Sequence, residues 1–147
     1  MNTRATFLAL FCMFLTLASV QTTYGQNQYE QQVLQQLQQA SSAFTSAGYS
    51  PVIADGGSLA QGETMQFTVT LQAGASYMLM GVCDQDCSDL DLALYDGYGN
   101  LVSADETTDD APVVDVTVAT GGDFTLEATM YQCSESICYY GVGIYGQ

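Results

Sequence analysis

The sequence predicts an all-β fold, an antiparallel β-sandwich of jelly-roll-like form with about seven or eight strands, preceded by one amphipathic N-terminal helix. Three observations predict it. Beyond Gly57 apolar residues alternate with polar ones, the period of a half-buried strand. Turn residues separate these stretches at regular intervals: Ala73-Gly74, Asp96-Gly97-Tyr98-Gly99-Asn100 and Gly121-Gly122. Before them, Asn27 to Ala47 follows the three-and-four spacing of a helix.

The chain opens differently. Arg4 gives a short positive start, Ala5 to Val20 is almost wholly apolar, and Gln21 to Gly25 is small or polar. This order is that of a secretory signal peptide over residues 1–25, with cleavage expected after Gly25. A membrane span needs roughly 20 apolar residues, more than the run from Ala5 to Val20 supplies. Cys12 follows Phe11, not the small residue a lipoprotein cysteine requires. The expected product is exported, to the periplasm or the extracellular space, and is not inserted in a membrane after cleavage.

Residues 26–50 read as a glutamine-rich amphipathic helix. Asn27 is the N-cap, with Glu30 three residues on as in a capping box. Val33, Leu34, Leu37, Ala40, Phe44 and Ala47 make one apolar face. Gly48 suits the C-terminal cap, and Pro51 prevents continuation. The apolar face covers either the sandwich or a partner.

Residues 51–147 read as the sandwich. Met65, Phe67, Val69 and Leu71 alternate with polar neighbours, and Tyr77 to Val82 is a more continuous apolar run. Leu90, Leu92 and Leu94 alternate next, Leu101 to Ala104 returns after the turn, and Val114, Val116 and Val118 follow. Phe124, Leu126, Ala128 and Met130 precede a last strand from Cys138 to Tyr145. Polar outer faces fit antiparallel sheets.

Charge excludes several classes of function. The chain has sixteen acidic residues, one basic residue and no histidine, with 48% hydrophobic residues. The basic residue is Arg4, which the signal peptide carries away. No side-chain ion pair can then form. Nucleic acid is excluded as a partner because Lys and Arg supply that affinity, and anionic membrane surfaces are excluded likewise. Catalysis is not expected. Without His, Lys, Arg or a free thiol, nucleophile–base pairs are missing.

Of five cysteines, Cys12 falls in the leader and Cys83, Cys87, Cys133 and Cys138 remain. Four cysteines allow three pairings. The two local ones, Cys83–Cys87 and Cys133–Cys138, are favoured, each worth on the order of 2 kcal/mol in the chain-entropy model. Asp84, Asp86, Asp89 and Asp91 form the densest polar constellation, and Asp105, Glu106, Asp109 and Asp110 a second. Such oxygen donors suit Ca2+, so the first four are the candidate metal cluster and calcium the one candidate cofactor. On the last strand Tyr139 and Tyr145 share a face with Gly141 and Gly143, a candidate flat surface for a sugar or an extended polypeptide.

Several stretches together resemble the bacterial pre-peptidase C-terminal (PPC) domain. These are Gly62-Glu63 with Phe67-Thr68-Val69, Ala73-Gly74-Ala75-Ser76-Tyr77, Asp89-Leu90-Asp91-Leu92-Ala93-Leu94-Tyr95-Asp96, Gly99-Asn100-Leu101-Val102, and Gly122-Asp123-Phe124-Thr125-Leu126. The resemblance covers roughly residues 57–145. It implies a jelly-roll-like β-sandwich in a secreted protein, in an ancillary role and with calcium in some relatives. The chain departs from that pattern in its expected organisation, a signal peptide and a helix ahead of the module in place of a catalytic domain, which counts against a role as a protease appendage.

The expectation is therefore an exported, non-catalytic binding or accessory module for a protein or glycan ligand, with calcium as its candidate stabilising ion and solvated loop acids as the other reading of the aspartates. A structural or self-assembling envelope or matrix protein, using the glutamine face of the helix, is the alternative.

Overall fold

The structure, a computed structural model, describes residues 27–147. The expected signal peptide, residues 1–25, lies outside the described residues. Helix α1 (Gln28–Ser46) is followed by β1 (Ser50–Leu59), β2 (Thr64–Leu71), β3 (Ser76–Cys83), β4 (Cys87–Tyr95), β5 (Leu101–Asp105), β6 (Val113–Thr117), β7 (Gly122–Cys133) and β8 (Cys138–Gly146). Two four-stranded antiparallel sheets result, β1-β8-β3-β6 and β2-β7-β4-β5. First strand pairs with last, and second with seventh. That nesting is the jelly-roll order.

The helix begins where a side chain can satisfy its free N–H groups. Asn27 Oδ1 accepts from the N–H of Tyr29 at 2.8 Å and of Glu30 at 3.3 Å. It ends at Ala47, and Gly48 takes φ +97°, which costs glycine nothing and other residues much.

Alternation places one face of each sheet inward. Leu79, Leu90, Leu92, Leu94, Leu126, Met130 and Ile144 are fully buried between the sheets. Each such side chain stabilises the fold by roughly 1.5–3 kcal/mol relative to exposure. Gly81 of β3 sits opposite: a Cβ there would lie 3.0 Å from Leu90 Cδ2 and 3.4 Å from Leu92 Cδ1. The leucines of β4 fill the space that Gly81 leaves.

Strand β1 was not legible from alternation. It is exposed along most of its length and pairs on one side only, with β8. Pro51 and Gly56-Gly57 belong to that edge position, where a missing N–H or side chain is tolerated.

Both disulfides are the local ones, Cys83–Cys87 and Cys133–Cys138, each with Cα atoms 5.9 Å apart. Neighbouring polar groups lock the loops together. Ser134 donates to the Asp86 carbonyl through its N–H and its Oγ, both at 2.8 Å.

The apolar face of α1 covers the sandwich, chiefly β8. Its seat is made of glycine. A Cβ on Gly141 would stand 2.6 Å from Leu37 Cδ1 and 2.7 Å from Val33 Cγ1. A Gly141→Val variant is therefore expected to lift the helix and to lower stability by about 1–3 kcal/mol, the usual effect of overpacking. Faster hydrogen exchange at the β8 amides checks this. Unchanged exchange and an unchanged melting temperature would show the seat to be deformable.

Candidate functional site

The helix packs closely against β8 but not against the edge of the sheet beyond it. Between α1 and β1 lies an open groove of about 390 Å3. Val33, Leu34 and Leu37 form its helical wall and Ala54 to Gly57 its strand wall, with Tyr139 and Tyr140 between them. Leu34 is 44% exposed, an unusual position for a residue of the helix's apolar stripe. Glu30 stands on the helical side and Asp55 on the strand side. Asp55 Oδ1 accepts from the Gly56 N–H at 2.8 Å.

Polar contacts hold the helical wall in place. Gln36 Nε2 donates to the Cys83 carbonyl at 3.1 Å, and Gln32 Oε1 accepts from the Gln85 N–H at 3.2 Å. The Tyr29 ring stacks parallel to that of Tyr139, with centroids 6.2 Å apart. Phe44 lies 4.8 Å from the Tyr145 ring. Burial raises the Tyr140 phenol above its usual range, and the nearby charge of Asp55 raises it further.

The tyrosine surface expected on β8 needs correction. Tyr139, Gly141, Gly143 and Tyr145 do share a face, but α1 covers it. Tyr145 is 2% exposed, and burial raises its phenol despite a hydrogen bond with Ser41. Tyr139 is half-buried against Tyr29. The pair Gly141 and Gly143 was the available signal: a strand face without side chains is a seat for another element.

The four aspartates of the expected calcium cluster do not come together as one ligand set. Asp84 is buried, and both its oxygens are engaged: Oδ2 accepts from the Tyr139 N–H at 2.7 Å and Oδ1 from the Asp86 N–H at 3.0 Å. Asp86 lies in the disulfide loop beside Ser134. Asp89 is buried, with no hydrogen-bond partner for Oδ1. Asp91 is half-buried and feels the second acidic stretch. Among the described residues no three His, Cys, Asp or Glu side chains converge where one metal ion would sit.

The structure instead joins the two acidic stretches of the sequence electrostatically. Burial holds the Asp91 carboxyl above its ordinary value, and the charges of Asp89, Glu106, Asp105 and Asp109 add to this. Asp105 goes the other way. Thr107 Oγ1 and the N–H groups of Val113 and Thr107 donate to it and hold its carboxyl low. A raised carboxyl favours the fold when protonated. The fold is favoured most below the unfolded-state pKa, and that advantage is lost as pH rises through the folded-state pKa. Asp91→Asn should accordingly stabilise the fold at neutral pH, by on the order of 1 kcal/mol or less after solvent screening, and raise its melting temperature. The gain should vanish below the ordinary carboxylate range. Melting curves across pH check this, and a gain that persists in acid would contradict it.

The sequence matches no protein-family model and no curated protein. The structure is similar to the crystal structure of Aeromonas hydrophila PliG, a periplasmic lysozyme inhibitor of g-type lysozyme. That likeness has 13% sequence identity, covers 69% of this chain and 90% of that chain, and has a TM-score of 0.49.

Proposed function

We propose that this chain is an exported, non-catalytic binding module for a protein or glycan ligand, and that the groove between α1 and β1 is its ligand site. One observation carries the reading. The groove is concave, mainly apolar, and held in shape by a helix tied to the sandwich along its length. Two disulfides support an oxidising destination. No helix of the described residues is long and apolar enough to cross a membrane.

Self-assembly through a free glutamine face has less support. Gln32 and Gln36 are spent on docking the helix to the Cys83–Cys87 loop. Calcium enters the reading as a counter-ion to the crowded carboxylates around Asp91. Chelation that leaves the melting temperature unchanged removes it.

The test is amide chemical-shift mapping with short peptides and neutral oligosaccharides. The expected result is a continuous set of shifts over Leu34, Leu37, Ala54, Gly56 and Tyr139. Perturbations confined to the outer face of the other sheet would reassign the site. Hydrolysis of a substrate that disappears on Asp→Asn substitution would overturn the non-catalytic reading.

A further inference from the structure

We infer that the groove is built for a cationic polypeptide, which places an apolar side chain between α1 and β1 and a flanking Lys or Arg against Glu30 and Asp55. This rests on the reading of the groove as the ligand site. It adds the chemistry of the occupant.

Charge complementarity is the first argument. Glu30 and Asp55 both line the groove, together with Leu34, Leu37 and Ala54. Neither can be neutralised by a side chain of this domain, because residues 27–147 contain no Lys, Arg or His. Elsewhere the surface carries the same sign, so the field around the protein draws cations inward and repels anions. A ligand that meets both walls must be positive at its edges and apolar at its centre.

The groove's walls separate polypeptide from glycan. Sugars are held by open aromatic faces with polar groups around them. Here the Tyr139 ring is stacked on Tyr29, and Tyr145 lies beneath the helix. What the groove offers is chiefly aliphatic, Leu34, Leu37 and Ala54, because Val33 and Tyr140 are almost wholly buried. That surface suits a Leu or Phe side chain. Gly56 and Gly57 yield their side-chain space to the protein's own Tyr140: a Cβ on Gly56 would lie 2.7 Å from the Tyr140 carbonyl oxygen and one on Gly57 3.4 Å from its hydroxyl. On its outer side β1 has no neighbouring strand.

The experiment titrates the protein with three synthetic peptides that share a central Phe and differ in its neighbours: Lys, Ser or Glu. Amide shifts are followed at low ionic strength. The Lys-flanked peptide is expected to move the groove amides with an affinity about ten-fold above that of the Ser-flanked one, from two rim ion pairs. The Glu-flanked peptide should move none. A Glu30→Gln/Asp55→Asn double variant should bring the Lys-flanked peptide down to the Ser-flanked level, and added salt should do the same in the parent. Equal binding of the Lys- and Ser-flanked peptides at the groove would sink the cationic inference and leave the ligand site standing. A neutral oligosaccharide that moves the groove amides when the Lys-flanked peptide does not would also sink it, in favour of a glycan. Failure of every probe to move these amides at millimolar concentration would overturn both.

Discussion

Replacing Asp84 with Ala is expected to destabilise the protein by about 3 kcal/mol or more, and to lower its melting temperature by roughly 10 °C. Asp84 lies within the Cys83–Cys87 loop, against Tyr139 at the start of β8, and is 1% exposed. Its two oxygens receive the N–H groups of Tyr139 and Asp86, and its own N–H donates to the Tyr139 carbonyl at 3.0 Å. Hydrogen bonds to a charged acceptor are worth about 1.5–3 kcal/mol each, and alanine would leave the two side-chain-bound N–H groups unpaired in a buried place. Asp84→Asn separates geometry from charge. It keeps the shape and one acceptor, but turns an NH2 group toward an N–H. Its loss should be smaller than that of Asp84→Ala yet clearly measurable. Chemical denaturation checks both. If Asp84→Ala fell within about 0.5 kcal/mol of the parent, as surface substitutions do, Asp84 would not be the clamp its contacts describe.

Leu92→Ala should have an effect of similar size, about 2–5 kcal/mol. The spread in such values reflects how far the surroundings collapse into the space created. Here collapse is restricted. The residue across the sandwich is Gly81, which has no side chain to move in, and Leu90 already occupies its share of that gap. The loss is therefore expected in the upper half of the range. A Leu92→Met variant preserves volume and should cost less than about 1.5 kcal/mol. Equal losses in the two variants would mean that the branched shape of Leu92, not its volume, sets the packing at this position.

Much of this was readable in the residues. Asn27 and Gly48 mark the helix ends because capping is local chemistry, settled by a side chain within a few residues of the groups it satisfies. Alternation located the strands whose two faces differ. It could not locate β1, whose exposed residues and edge position produce no two-fold pattern. The disulfides followed from proximity in sequence. The four aspartates were harder. Asp84 and Asp86 look alike as letters and share one disulfide loop, yet one is a buried clamp and the other only half-buried, a difference set by where β8 returns. The same holds for Tyr139 and Tyr145, whose shared face was legible while its cover was not. The groove joins residues 30–37 to residues 54–57 and 139–140. No local pattern announces such a union.

The packing of α1 on β8 also sets an order of events. As the chain emerges in sequence, the helix appears before any strand, yet the strand that seats it is the last to appear. Until Gly141 and Tyr145 arrive, Val33, Leu37 and Phe44 have no surface to rest on. The groove therefore forms only once β8 is in place. A product cut short before β8 would have a solvent-exposed helix and no groove, so the groove is itself a mark that every strand of the sandwich has been laid down.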